Sequence, residues 1–92
     1  MSIYLMFGKY NPGSMQDISP DRTEKAIDLI KENGGKIKGA YALLGDNDLL
    51  LIVNFPNIQG VVKSSVEMGN LLGISFSTTP AITVDEFDKI FK

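Results

Sequence analysis

No cysteine and no histidine occur among the 92 residues. That absence removes disulfides, thiolate nucleophiles, imidazole bases and the usual ligands of zinc, copper and haem. Basic charge is also scarce: nine Lys and Arg stand against eleven Asp and Glu, for a net charge of −2 and a pI near 4.9. With no basic field to draw in a polyanion, nucleic acid is not an expected partner. Long apolar runs are missing as well. Leu49 to Val53 is about a quarter of the length that a membrane-spanning helix needs. The start, Met1 to Lys9, has neither a basic segment ahead of an apolar stretch nor a small-residue cleavage site, so no signal peptide is read there. The expectation is a cytoplasmic protein with no membrane partner, no metal and no cofactor.

What is present describes one globular unit over residues 1–92. Apolar residues make up 43% and charged ones 22%, a balance that excludes wholesale disorder, and the length suits a single core. Ile3 to Phe7 is apolar on both alternating faces and too short for a helix, which predicts a buried strand. Tyr10 to Ser14 is turn chemistry, and the stretch through Ile18 has room for an irregular turn. Ser19-Pro20-Asp21 then opens a helix to about Asn33: serine caps, proline suits the first helical position, and Asp21 and Glu24 favour the positive end of the dipole. Thr23, Ala26, Ile27 and Ile30 form its inner stripe, and Gly34-Gly35 stops it.

Lys36 to Leu44 alternates Lys36, Lys38 and Ala40 against Ile37, Tyr41 and Leu43, the period of a strand. The polar turn Gly45-Asp46-Asn47-Asp48 joins it to a third strand, Leu49 to Phe55, as an antiparallel hairpin. Pro56-Asn57 opens a second helix to about Leu72, with one row of Val61, Ser65, Met68 and Leu72 and another of Val62, Val66 and Gly69, both read as inward-facing. After Gly73, Ile74 to Thr79 alternates as a fourth strand, and Pro80 suits an edge strand or its end. Thr83-Val84-Asp85-Glu86 has capping-box spacing ahead of Phe87, Ile90 and Phe91, which predicts a short third helix.

The order strand, helix, strand, strand, helix, strand, under the right-handed crossover rule, points to an α+β ferredoxin-like βαββαβ fold with a four-stranded antiparallel sheet in the order 4-1-3-2. Two helices cover one face of such a sheet. The central strands, first and third, are apolar on both faces, so the other face also needs cover. Sheet-to-sheet homodimerisation supplies it.

Gly34-Gly35-Lys36-Ile37-Lys38, Tyr41-Ala42-Leu43-Leu44-Gly45, Asp48 before an apolar strand, Gly69-Asn70, Thr78, Ala81 and Glu86-Phe87 together resemble the GYD domain family over nearly the whole chain. The resemblance implies a small ferredoxin-like domain that pairs into a dimeric α/β barrel, and no particular chemistry. The namesake Gly-Tyr-Asp motif is altered here: Gly45 and Asp48 flank Asp46-Asn47, and the tyrosine is absent. A weaker likeness runs to the ligand-binding domain of leucine-responsive, asparagine-type regulators, whose hairpins also carry a glycine and an aspartate before an apolar strand. A helix-turn-helix domain would not fit in this length.

Four side chains are candidates for ligand binding, each beside a plainer role. Asp48 either meets a ligand's donors or accepts amides of its own hairpin, the preferred reading. Tyr4 and Tyr41 either project phenols into a cavity or pack with a bonded hydroxyl. Arg22, the only arginine, either clamps a carboxylate or forms a surface ion pair with neighbouring acids. Ser75, Ser77, Thr78 and Thr79 form a hydroxyl-rich strand, but no Ser-x-x-Lys or Gly-x-Ser-x-Gly motif accompanies them. A helix scatters Asp85, Glu86 and Asp88, and the glycines lack the lysine and spacing of a phosphate loop. The expected function is a homodimeric module that binds a small molecule or a protein without catalysis. The alternative is a cofactor-independent enzyme, monooxygenase-like or isomerase-like, with a pocket between sheet and helices.

Overall fold

A computed structural model describes residues 1–13 and 19–92. The irregular turn expected through Ile18 lies, from residue 14 on, outside the described residues. The elements are β1 (Ser2–Tyr10), α1 (Pro20–Glu32), β2 (Lys36–Ala42), β3 (Leu49–Phe55), α2 (Ile58–Leu72), β4 (Ile74–Ala81) and α3 (Val84–Ile90). The strands form one antiparallel sheet in the order β2-β3-β1-β4, which is the ferredoxin-like βαββαβ arrangement predicted. Pro80 sits within β4, an edge strand, where a residue without an N–H is tolerated.

Local signals set the helix ends. The Ser19 hydroxyl accepts the Arg22 N–H, Asn57 accepts from Gly60, and Thr83 accepts from Glu86, each offering an oxygen to an amide that has no partner inside its helix. Strand alternation then divides the residues between two faces. Tyr4 and Met6 of β1, with Leu51, Val53 and Phe55 of β3 and Ile74 of β4, face α1 and α2 and close a core with Ala26, Ile30, Val61, Met68 and Leu72. Gly60 lets α2 approach the rest of the fold. A Cβ built there would lie 2.7 Å from the Asn33 carbonyl oxygen and 2.7 Å from the Phe55 ring.

Three expectations about faces are corrected. In α2 the inner row is Val61, Ser64, Met68 and Leu72, whereas Val62 and Val66 are 54% and 57% exposed. The reason is geometric: a helix on a sheet buries a single stripe, and residues one position away from Val61 turn about 100° off it. In α1 only Ala26 and Ile30 of the expected stripe are buried, while Ile27 is half-buried and Thr23 exposed. In β2 the alternation is interrupted. Ile37 pairs with Val53 but Gly39 pairs with Ile52, so a bulge at Lys38 moves Tyr41 to the face opposite Ile37, and the strand ends at Ala42.

Among the described residues no helix packs on the second face of the sheet. Along its two central strands run Ile3, Leu5 and Phe7, paired respectively with Asn54, Ile52 and Leu50. Tyr41, opposite Leu50, borders this apolar strip on one side, and the hydroxyl residues Ser77 and Thr79 of β4 border it on the other.

Candidate functional site

The four candidate side chains do not meet in one place. Tyr4 is on the helix face, 7% exposed, with its ring edge-on to Phe55 at 6.5 Å between centroids. Tyr41 is on the opposite face, at the β2 edge, and 56% exposed. A sheet separates the two phenols, so within one chain they share no pocket.

Arg22 and Asp48, by contrast, converge on Tyr10, a strand residue at the point where turn chemistry begins. Strand β1 continues to Tyr10, whose side chain follows Tyr4, Met6 and Gly8 along the helix face. The Arg22 guanidinium lies over the Tyr10 ring, 4.6 Å from its centroid. The backbone N–H of Tyr10 donates to Asp48 Oδ2 at 3.0 Å. Asp48 thus accepts a backbone amide, but that amide belongs to β1 and not, as expected, to its own hairpin. Its backbone is engaged as well: its N–H donates to the Gly8 carbonyl and its carbonyl accepts from Leu43, both at 2.8 Å. Gly45, at φ +147°, turns the chain through a conformation that side chains resist, which leaves Asp48 to close the corner.

Behind Tyr10 and Arg22 lies a cavity of about 60 Å³ between sheet and α1, lined by Ala26, Ile27, Ile37, Leu49, Leu51 and Ile74 among others. It is apolar and far below the 300–1,000 Å³ or so of ordinary ligand pockets. The signal that would have revealed Tyr10 is the alternation itself, which runs on past Phe7 without a break. The Tyr10-Asn11-Pro12-Gly13 turn chemistry masked it.

Among the described residues no group of three or more acidic side chains is gathered as a metal site, and no helix is long and apolar enough to cross a membrane. Of the β4 hydroxyls, that of Ser75 donates to Asn11 Oδ1 at 2.7 Å. A partly buried polar network, Asn33 Nδ2 donating to Ser64 Oγ at 3.0 Å and to Glu67 Oε1 at 2.8 Å, ties the end of α1 to α2.

A four-stranded sheet of this order with two helices on one face defines a ferredoxin-like α+β protein. More narrowly, the chain belongs to the GYD domain family, whose model matches residues 4–91. No curated protein sequence matches it. Among the solved structures that share the fold are two that match most of this chain. One is the leucine response regulatory protein LrpA of Mycobacterium tuberculosis, with a TM-score of 0.63 and 11% identity over 89% of this chain and 51% of that one. The other is FFRP-DM1, with a TM-score of 0.62 and 20% identity over 89% of this chain and 100% of that one. The chain thus corresponds to about half the length of the first and the whole of the second.

Proposed function

We propose that this protein is a homodimeric binding module of the dimeric α/β barrel type, which holds a small molecule or a partner protein without transforming it. The observation that carries the proposal is the open sheet face, where Ile3, Leu5, Phe7, Leu50 and Ile52 form one apolar strip over the two central strands. Water on such a strip costs free energy in proportion to its area, and a second copy of the same strip removes it for both partners. Of the four candidate side chains, Tyr41 fits a ligand-contacting role best, because its exposed ring borders that strip and would face the space between two sheets. Tyr4, Arg22 and Asp48 each have structural work in the fold.

The enzyme alternative asks for a reaction-sized pocket between sheet and helices. The cavity behind Tyr10 is only about 60 Å³. The larger groove between α2 and β4, about 270 Å³ and bordered by Tyr4, is lined among the described residues by no acidic or basic side chain to act beside that phenol. Together with the separation of the two tyrosines by the sheet, these favour the binding reading. Light scattering at micromolar concentration tests the proposal: the mass should be twice 10.1 kDa. Leu50→Glu or Ile52→Glu should give the single-chain mass, since an unpaired charge in an apolar interface costs several kcal/mol. A wild-type monomer at that concentration contradicts the proposal. Native mass spectrometry of protein taken from its own cells then shows whether the dimer retains a ligand.

A further inference from the structure

Helix α3 has an apolar side that the described residues of its own chain leave exposed. Val84, Phe87, Ile90 and Phe91 are 76%, 53%, 65% and 73% exposed, and no residue of the helix is buried. It makes at most passing contact with the other elements. Seven helical residues do not hold their shape alone in water, so the capping by Thr83 and the tilted ring pair Phe87–Phe91, 5.0 Å between centroids, need a surface to complete them.

The same chain has a second apolar surface without a partner. The outer row of α2, Ile58, Val62 and Val66, is 57%, 54% and 57% exposed. With Phe76, Thr78 and Pro80 of β4 it borders a groove of about 270 Å³. We infer that α3 is an exchanged arm: it crosses to a second copy of this chain and lays Phe87 and Phe91 in that copy's groove between α2 and β4, each copy giving an arm and receiving one. The inference rests on the homodimer reading above.

Area is what singles out a second copy as the occupant. Four strands about 4.8 Å apart, paired over about seven residues, offer roughly 450 Å² of sheet plane. A stable interface takes about 800 Å² from each partner. The sheet plane alone falls short, and the exposed parts of Phe87 and Phe91, about half and three quarters of roughly 150–250 Å² each, together with the groove surface they cover, make up the difference. Reciprocal exchange also satisfies two-fold symmetry, in which the same ridge and the same groove are used twice and no apolar surface is left to propagate a fibre.

Because the chain contains no cysteine, introduced ones report contacts cleanly. Mixing Phe87→Cys protein with a heavier, tagged Val62→Cys protein under mild oxidation should give a mixed disulfide of the summed mass, well above that formed by Phe87→Cys with Asp28→Cys on the exposed side of α1. In parallel, ending the chain after Ile82, or substituting Phe87→Asp with Phe91→Asp, should raise the dimer dissociation constant about 30-fold or more, as for loss of buried aromatic anchors. The same truncation in the Leu50→Glu background should leave the monomer's melting temperature unchanged, since α3 buries nothing in its own chain. If wild type is dimeric and Leu50→Glu separates it, yet truncation leaves the dissociation constant unchanged or the mixed disulfide does not exceed the control, the exchanged arm is refuted and the homodimer stands. A wild-type monomer overturns both.

Discussion

The Tyr10 N–H donates to Asp48 Oδ2 at 3.0 Å, joining residues 38 apart in the chain. Regular pairing of β1 with β3 ends at Gly8 opposite Leu49, just where the hairpin turn leaves the sheet. Beyond that point a strand amide would lose its acceptor, and the half-buried carboxylate takes the place of a carbonyl. Asp48 so extends the sheet by one bond and holds the aromatic ring of Tyr10 under Arg22.

This relationship predicts a particular order among variants. Asp48→Ala should lower stability in urea titrations by about 1–2 kcal/mol, the cost of a partly buried amide left without its acceptor. Asp48→Asn retains an oxygen at the same position and should lose less than about 1 kcal/mol. An Asn variant of near-native stability that fails to retain whatever ligand native protein carries would make Asp48 a contact residue and not a strap.

Arg22 and Tyr10 should be energetically coupled. A guanidinium 4.6 Å from a ring centroid contributes about 0.5–1 kcal/mol when partly exposed. In a double-mutant cycle of Arg22→Ala with Tyr10→Leu, the coupling should fall in that range. Because the attraction depends on the face of the ring and not on the hydroxyl, Tyr10→Phe should keep most of it. A coupling indistinguishable from zero would reduce the stacking to proximity.

Much of this was legible in the chain, and the parts that were not share a cause. Element order, the caps at Ser19, Asn57 and Thr83, and the sheet order follow from signals within a few residues of one another, or from topology rules that admit few arrangements. Local rules do not say where a period slips. The bulge at Lys38 has no marker in Lys36-Ile37-Lys38-Gly39 beyond a glycine, yet it moves Tyr41 across the sheet. Nor do local rules say which of two adjacent apolar rows a helix buries: Val62 and Val66 are as apolar as Val61 but lie over the groove, not the core. Tyr10 was hidden because turn chemistry follows it directly, and its partners Arg22 and Asp48 come from distant segments. The individual candidates were visible, whereas their meeting point was set by long-range pairing.

Two glycines in α2 should respond oppositely to the same change. In an open helix Gly→Ala stabilises by about 0.4–1 kcal/mol, because alanine has less freedom to lose on folding. Gly69→Ala should show that gain: its Cβ would lie 3.6 Å from the Ile74 carbonyl, an ordinary contact. At Gly60 the new Cβ would stand 2.7 Å from the Asn33 carbonyl oxygen, which is backbone at the end of α1, and 2.7 Å from the ring of Phe55, which is fully buried. Neither neighbour yields cheaply. The Asn33 side chain is itself tied to Ser64 and Glu67 of α2, so moving its backbone disturbs the bonds that join the helices. Gly60→Ala should therefore cost about 1–3 kcal/mol, the range for overpacking a close contact, outweighing the propensity gain. Urea denaturation of both variants checks the pair. A stabilised Gly60→Ala protein would mean that α2 can shift away from Asn33 at little cost, and that the closeness of the two helices there is not what holds them in place.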